Sequence, residues 1–294
     1  MMPYRSTLAP VRLMITGAAG MLGQDLVAAA GAAGHDALGL SRAQLDITDA
    51  DAVARAVSSA RPDVVVNCAA WTNVDGAESD EAGALAANRA GAGNLARAAA
   101  AAGAWTIHVS SDYVFDGAKR SPYLESDPVG PLSAYGRTKL AGERAVAQAA
   151  PERHTIVRSS WLFGAGGPCF PATILRLAAE RDQLNVVDDQ VGCPTFTRHL
   201  ATALVHIAAR RPGGLLHVAG AGTCSWYEFA REIVAGAALR CEVRPCTTAD
   251  MPRPATRPAY SVLRSERGDE APVLPDWRAG LAEYLEAVSV GSAT

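Results

Sequence analysis

The chain lacks several features that mark large classes of protein. No stretch approaches ~18 uninterrupted apolar residues, so the sequence predicts no transmembrane helix. Residues 1–7 contain no apolar segment of the kind found in a secretion signal. Charged residues make up 19% of the chain and the formal net charge is -3, which argues against nucleic acid or a membrane as a partner. We therefore expect a cytoplasmic protein, in which local basic residues could still bind a phosphorylated ligand.

Paired cysteines are also missing. The six cysteines are scattered, and none forms a Cys-x-x-Cys pair with a second pair to match. Zinc sites usually need such spacing, so we predict no metal site and free thiols in a reducing compartment. The 294 residues suffice for one large or two modest domains with a sizeable core.

The first half of the chain alternates short apolar runs with helix-forming segments. Strands are predicted at 11–16, 37–40, 63–68, 105–110 and 155–159, and helices at 21–30, 48–59, 81–102 and 133–149. Residues 48–51 resemble a capping box that begins the second helix. Strands alternating with helices imply right-handed crossovers. The predicted fold class is therefore α/β, with a doubly wound parallel sheet of the Rossmann type.

The pattern loosens after the glycine-rich loop at 164–168. Helices are predicted at about 170–181, 197–211 and 277–288, strands at 184–187 and 215–218, and a further capping box at Ser225 and Glu228. We predict a loose tail at 1–10, a dinucleotide-binding domain at 11–160, and a smaller C-terminal lobe at 161–294 that mainly binds substrate. Residues 190–215 are expected to return to the first domain.

Three glycines follow the first predicted strand and open the first helix. Gly17, Gly20 and Gly23 have the spacing G-x-x-G-x-x-G. Such glycines let the backbone turn tightly and approach a pyrophosphate at the helix N-terminus. The position predicts a dinucleotide site, and a plain structural turn is the alternative.

The end of the second predicted strand bears on the choice of cofactor. Ser41 and Arg42 stand there without an acidic residue. An acid would bind the ribose hydroxyls of NAD, whereas arginine can bind a 2′-phosphate, so we predict that NADPH is preferred and that NADH is usable. Asp46 and Ile47 are expected to flank the adenine, although Asp46 could instead support the turn before a helix.

The third predicted strand is followed by small residues that would let a dinucleotide pass close to the backbone. They include Ala69 and Ala70, just before Trp71 and Thr72. Asn88, on the next helix, is either a spacer toward the active site or an internal cap.

Tyr135 and Lys139 lie four residues apart, which places both on one face of a predicted helix. A phenol has a pKa near ~10, and a nearby ammonium lowers it. We therefore expect Lys139 to tune Tyr135 as a general acid. The pair alone is weak evidence, because a surface tyrosine beside a lysine is common. The glycine loop and the hydroxyls of Ser110 and Ser111 at a strand end strengthen it.

Several stretches together resemble the extended short-chain dehydrogenase/reductases and, more narrowly, the dTDP-4-dehydrorhamnose reductase family. The similarity runs from residue 11 to about residue 285. The stretches are Ser110-Ser111-Asp112-Tyr113, Pro122-Tyr123-Leu124-Glu125, Tyr135-Gly136-Arg137-Thr138-Lys139, Arg158-Ser159-Ser160-Trp161, Asp189-Gln190-Val191-Gly192, Ser225-Trp226-Tyr227-Glu228 and Arg257-Pro258-Ala259-Tyr260.

The resemblance implies reduction of the 4-keto group of dTDP-4-dehydro-L-rhamnose to dTDP-L-rhamnose. Tyr135 would donate the proton, Lys139 would lower its pKa and bind the nicotinamide ribose, and Ser111 would align the carbonyl, where the family usually has threonine. The implied cofactor-binding residues are Gly17, Gly20, Met21, Leu22, Gly23, Ser41, Arg42, Asp46, Ile47, Ala69, Ala70, Trp71, Thr72, Asn88, Tyr135 and Lys139. The implied substrate-binding residues are Ser111, Asp112, Trp161 and Arg257; Arg257 is chosen for the diphosphate because planar guanidinium forks suit phosphates, with Arg253 second.

Other readings stay open. Some relatives are reported to bind magnesium at a dimer contact, and Asp25 falls near one such place. We favour a helix aspartate facing water and predict no metal there. A homodimer stays open. The chain could be another nucleotide-sugar ketoreductase or epimerase of the superfamily. It could also be a non-catalytic regulatory subunit, although the intact Ser111, Tyr135 and Lys139 argue against that.

Overall fold

Buried aliphatic runs form the strands of a central sheet. A computed structural model describes the backbone of residues 9–291, so most of the predicted tail at 1–10 lies outside the described residues. The strands are β1 Arg12–Thr16, β2 Asp36–Leu40, β3 Val64–Asn67, β4 Trp105–Ser111, β5 His154–Ser159, β6 Leu162–Phe163, β7 Gln183–Val187, β8 Val191–Gly192, β9 Thr195–Phe196, β10 Gly214–His217, β11 Cys224–Ser225 and β12 Glu242–Cys246.

Helices cover both faces of that sheet. They are α1 Met21–Ala32, α2 Ala50–Ala60, α3 Val74–Ser79, α4 Glu81–Leu85, a π-helix Ala86–Gly91, α5 Ala92–Ala101, α6 Ala134–Ala149, α7 Phe170–Glu180, α8 Thr197–Arg210, α9 Trp226–Gly236 and α10 Trp277–Gly291. Short 3-10 turns occur at Asp112–Val114, Thr248–Asp250 and Gly268–Glu270.

The central sheet has the strand order β10-β5-β4-β3-β1-β2, with every neighbouring pair parallel. One core lies between the sheet and α1 and α8, and a second lies on the opposite face beneath α2 and α5. Burial on both faces explains why β3 reads as an unbroken run of valines. The predicted doubly wound α/β fold is confirmed. β2 and β3 flank β1 on opposite sides, so the order in which strands are added to the sheet reverses at β1. Ligands bind parallel sheets at the carboxyl ends of the strands next to such a point.

The alanine-rich segment predicted as one helix at 81–102 is interrupted. It comprises α4, the π-helix and α5, and α3 precedes it without having been predicted. Asp80 separates α3 from α4 because its non-helical backbone ends one helix while its carboxylate accepts a hydrogen bond from the Gly83 amide. The π-helix contains Asn88, whose side chain bonds to groups outside the helix.

One predicted helix start is shifted by a residue. The N-cap of α2 is Asp49, whose Oδ1 accepts a hydrogen bond from the Ala52 amide at 2.9 Å. Thr48 instead donates its hydroxyl to Asp46 Oδ1 at 2.8 Å. The predicted capping box at Ser225 is confirmed, because Ser225 accepts from the Glu228 amide and Glu228 accepts from the Ser225 amide.

The second half of the chain has its own aromatic core. Side chains of α7, α9 and α10 pack around Phe229 and Trp277, which are fully buried. Small strand pairs, β7 with β12 and β6 with β9, border this core. The chain between them returns to the first half, since α8 packs on α1 and β10 extends the sheet beside β5.

Candidate active site

Ser111 is the last residue of β4, at the carboxyl edge of the sheet. Its hydroxyl donates to Asp112 Oδ1 at 3.0 Å and accepts from the Tyr113 amide at 3.2 Å. It therefore caps the 3-10 turn that follows and is buried. This fixes a hydroxyl group at the edge where parallel sheets bind ligands.

Helix α6 carries Tyr135 and Lys139. Ser133 is its N-cap and accepts from the Gly136 amide at 3.2 Å, so the tyrosine lies in the first turn. The ring of Tyr113 meets that of Tyr135 edge-on, with centroids 5.5 Å apart. The chain thus brings Ser111 and Tyr135 into one environment from two elements.

The pKa of Tyr135 is raised in this structure, not lowered as expected. Burial raises it to about 12, the nearby Ser111 hydroxyl lowers it, and Asp112 raises it. The tuning of Tyr135 by Lys139 stays a prediction. The helical spacing is as predicted, but spacing does not reveal how strongly the phenol is desolvated. At neutral pH the phenol keeps its proton.

Lys139 is itself strongly buried, with 2% of its surface exposed. Its ammonium donates to the Val109 carbonyl oxygen at 2.7 Å. Burial lowers its pKa to about 8, and Glu143, one turn along α6, raises it. Glu143 in turn forms a buried ion pair with Arg158, 2.7 Å between Oε2 and Nη2.

The loop between β1 and α1 fits a pyrophosphate. Gly17 has a φ of +72°, and a Cβ there would lie 2.6 Å from the Ala69 amide nitrogen. A Cβ at Gly23 would collide with the Gly17 carbonyl oxygen. Gly20 caps α1 without a side-chain hydrogen bond, so the first helical N–H groups are free to meet an anion. Met21 and Leu22 form the first turn of that helix.

Asn88 ties the loop after β3 to α6. Its Oδ1 accepts from the Trp71 amide at 2.8 Å, and its Nδ2 donates to Thr138 Oγ1 at 2.9 Å. The side chain acts as an internal cap that also reaches α6, one turn from Tyr135. Ala69, Ala70 and Thr72 lie in the loop that it holds.

The residues predicted for the adenosine end lie after β2. Ser41 bonds to Gln44 through its amide and hydroxyl, while the Arg42 side chain is exposed. Asp46 supports the turn before α2, and its bonds to the Thr48 amide and hydroxyl lower its pKa. Ile47 is buried in the core beneath α2 and α5.

Asp112 follows Ser111 and is almost wholly buried. Its Oδ2 has no hydrogen-bond partner among the described residues, and burial raises its pKa to about 6. The Ser111 and Ser261 side chains hydrogen-bond to this carboxylate and partly offset the effect of burial on its pKa.

Trp161, predicted as a flat wall for the sugar, is stacked on another tryptophan. Its ring lies parallel to Trp226, with centroids 3.5 Å apart. Trp161 has a φ of +47°, which is unusual for a bulky residue and commonly marks a functional position. One ring face is therefore covered by Trp226, and Gly192 packs so close to the indole that a Cβ there would collide with Trp161 Cε2.

A cavity of about 510 Å³ lies in the second half of the chain. Phe170, Ile174 and Trp226 supply apolar lining, and Arg253 and Arg257 line it as well. Arg257 forms a two-pronged ion pair with Asp75 of α3, with 3.0 Å between Nη2 and Oδ2. Arg253 lies 4.0 Å from the same carboxylate.

The comparisons with known proteins agree with this geometry. Residues 11–290 match the family model described as the RmlD substrate binding domain. A dTDP-4-dehydrorhamnose reductase of Mycolicibacterium smegmatis is 47% identical over 96% of this chain and 87% of its own length. The chain belongs to this reductase family.

Solved structures of the RmlD family superpose closely. A dTDP-4-dehydrorhamnose reductase from Clostridium acetobutylicum is 40% identical with a TM-score of 0.91, covering 94% of this chain and 99% of its own. A Bacillus anthracis reductase in complex with NADP is 35% identical with a TM-score of 0.91, covering 95% and 100%. The family membership predicted from the motifs is confirmed.

Within this RmlD-family chain, Asp25 does not stand as a free metal ligand. Its Oδ2 accepts from Thr197 Oγ1 at 2.6 Å, and its Oδ1 lies 3.7 Å from Arg198 Nε. No group of three or more metal-binding side chains occurs among residues that the structure describes. None of the described helices has the length and apolar character needed to cross a bilayer.

Sequence reasoning missed Asp75, Tyr113 and Phe170 at this site. Asp75 lies in the first turn of a short helix where an acidic residue is ordinary. Phe170 reads as a core aromatic. Tyr113 stood inside a matched motif without a role, so only its position beside Tyr135 draws attention to it.

Proposed function

We propose that the chain reduces the 4-keto group of dTDP-4-dehydro-L-rhamnose to dTDP-L-rhamnose with a reduced nicotinamide cofactor. The carrying observation is the convergence of a protonated Tyr135, the Ser111 hydroxyl and the glycine loop at one edge of the sheet. The named activity of the family supports the substrate. The part at 11–160 would bind the dinucleotide, and the part at 161–294 would bind mainly the sugar nucleotide.

The cofactor supplies the hydride when it is bound, and the protein supplies alignment and a proton. The Ser111 hydroxyl, which donates to Asp112 Oδ1 in this structure, would turn to donate to the ketone oxygen, and Tyr135 would donate its proton to that oxygen. Lys139 supplies a positive charge beneath the site and binds ribose hydroxyls. These roles need a protonated phenol and a protonated amine at neutral pH, and the pKa values of both groups, about 12 and about 8, satisfy this.

We assign the cofactor contacts to the residues predicted for them. The loop glycines with Met21 and Leu22 would hold the pyrophosphate. Ala69, Ala70, Trp71, Thr72 and Asn88 would line the passage toward the nicotinamide, and Ser41, Arg42, Asp46 and Ile47 would line the adenosine end. The exposed guanidinium of Arg42 favours NADPH over NADH, because it can pair with a 2′-phosphate.

The cavity is proposed to hold the nucleotide part of the substrate. Its apolar lining suits a base, and the cations of Arg253 and Arg257 suit a diphosphate. Asp112 would accept a sugar hydroxyl, and Trp161 would border the hexose. The ketone would then point toward Tyr135; in support, Tyr113 lies beside both Arg257 and Tyr135.

The test is direct turnover. Purified protein is mixed with NADPH and enzymatically generated dTDP-4-dehydro-L-rhamnose, and the absorbance of the reduced nicotinamide is followed. We expect rapid loss of absorbance and formation of dTDP-L-rhamnose, with dTDP-glucose as the control because it has no ketone. If the protein is inert toward dTDP-4-dehydro-L-rhamnose but reduces another dTDP-4-keto sugar, it is a different nucleotide-sugar ketoreductase of the superfamily. A protein that binds both ligands without turnover would favour the regulatory reading.

A further inference from the structure

Asp75 joins the two halves of the chain at the edge of the cavity. Arg257 Nη1 donates to Asp75 Oδ1 at 3.1 Å, and Nη2 donates to Oδ2 at 3.0 Å. The Ala255 amide also donates to Oδ1, at 3.2 Å. The side chains of Asp75 and Arg257 are 27% and 20% exposed, so this pair is better shielded from solvent than a surface ion pair. One carboxylate thereby orders both the arginine and the loop that carries it.

The contacts fix the direction of the guanidinium. Nη1 donates to Asp75 and to the Ala255 carbonyl oxygen, at 3.0 Å for the latter, and Nη2 uses one N–H on Asp75. The remaining donors lie at Nε and on Nη2; the Tyr113 side chain lies within hydrogen-bonding reach of the guanidinium and shares these donors with a ligand. Burial alone would lower the pKa of Arg257, but the interactions with Asp75 and Tyr113 outweigh burial and raise that pKa. The Arg257 guanidinium therefore stays charged. The pair also lowers the pKa of Asp75, chiefly through the Arg257 hydrogen bond.

We propose that Asp75 is a positioning residue that presents Arg257, as a fixed fork, to the diphosphate of the substrate. The inference rests on the proposed function, since it presumes a nucleoside diphosphate in the cavity. A free arginine side chain loses considerable rotamer freedom when it binds, and holding it in place beforehand removes that cost from the binding step. The opposite role, a carboxylate that competes with the diphosphate for Arg257, predicts the opposite change in affinity.

The first experiment compares Asp75→Asn with the wild type. We expect KM for the dTDP-4-keto sugar, and Kd for dTDP measured by calorimetry, to rise about tenfold, the equivalent of one immobilised side chain. We expect kcat at saturating substrate to stay within about twofold, since Asp75 touches no reacting atom. Glu81→Gln is the matched control, because Glu81 also forms a two-pronged pair with an arginine, Arg137, away from the cavity lining.

A double-mutant cycle separates positioning from general loss of stability. In an Arg257→Ala background, Asp75→Asn should have no further effect on Kd for dTDP. Equal effects of Asp75→Asn in both backgrounds, tighter dTDP binding, unchanged KM and Kd, or a fall in kcat alone would each overturn the proposal. Asp75→Glu keeps the charge and should restore part of the affinity for dTDP. NADPH binding reports whether each variant is folded. If Asp75→Asn does not fold, Asp75→Glu is used as the test variant.

The same experiment keeps the two proposals apart. If the wild type neither binds dTDP nor reduces the keto sugar, the proposed function fails. If the wild type does both and Asp75→Asn behaves like Glu81→Gln, only the role of Asp75 fails.

Discussion

Lys139→Met should make the protein more stable at neutral pH while it loses ketone reduction. Lys139 is buried, and its pKa falls from 10.5 to about 8, chiefly because burial disfavours the ammonium. The charged ammonium of Lys139 therefore destabilises the folded state. Methionine has a similar length and no charge, so it fills the space without that cost.

The size of the effect follows from the pKa. Each unit of difference between folded and unfolded states corresponds to ~1.4 kcal/mol, so a fall from 10.5 to about 8 costs the folded state ~3 kcal/mol when the amine is charged. The variant loses the hydrogen bond to the Val109 carbonyl oxygen, which has a charged donor and is worth ~1.5–3 kcal/mol. We therefore expect the free energy of unfolding to rise by ~1 kcal/mol at pH 7.

The stability difference between Lys139→Met and the wild type should depend on pH. Between the folded pKa of about 8 and the unfolded value of 10.5, the unfolded lysine binds more protons than the folded one, so the wild type gains stability as pH rises. Below the folded pKa the cost is fully present, and above the unfolded value it is gone. The advantage of Lys139→Met should consequently shrink across this window and change sign above it, where only the lost hydrogen bond counts.

Urea unfolding followed by circular dichroism, at neutral pH and across that alkaline window, measures the effect. Lys119→Met is the control, since Lys119 is the only other lysine of the chain. Lys119 is more exposed than Lys139 and forms an ion pair with Asp127. A Lys139→Met protein that is less stable than the wild type at pH 7 would refute the reasoning, as would an advantage that does not vary with pH.

Three further outcomes follow from single contacts. Tyr135→Phe should fold and bind NADPH but lose ~10²–10⁴-fold in kcat, and near-normal turnover would remove Tyr135 from the acid role. Arg42→Ala should raise Kd for NADPH, measured by fluorescence, much more than Kd for NADH; an equal effect on both would contradict pairing with the 2′-phosphate. Ser225→Ala removes the capping box of α9 and should lower the free energy of unfolding by ~1 kcal/mol in urea, whereas an unchanged value would mean that packing alone fixes this helix end.

Local chemistry made much of the fold readable from the sequence. Parallel strands buried on both faces appear as short apolar runs, and the run of valines at β3 is the clearest case. Ser225 and Glu228 carry their cap within four residues, so the pattern alone identifies it. The break at Asp80 escaped prediction because the surrounding alanines favour helix regardless of what the segment packs against.

The candidate site was readable only in part, because some of it depends on contacts between distant residues. Asp75 and Arg257 are 182 positions apart, and neither residue type at its position signals the other. The stacking of Trp161 on Trp226 likewise depends on how separate segments of the second half pack together. The Tyr135–Lys139 spacing was visible, whereas the desolvation that decides both pKa values arises from the whole environment of α6.

The environment of Tyr135 keeps the phenol in the protonated form that the proposed reduction needs. The alkoxide that hydride transfer to a ketone would leave is a much stronger base than a phenolate. A phenol of pKa about 12 therefore gives up its proton to that oxygen favourably, without help from Lys139. Oxidation of the alcohol would need the phenolate instead, and burial and the Asp112 carboxylate both disfavour that anion. The features that contradict the expected lowering of the Tyr135 pKa are thus the ones that suit a reductase.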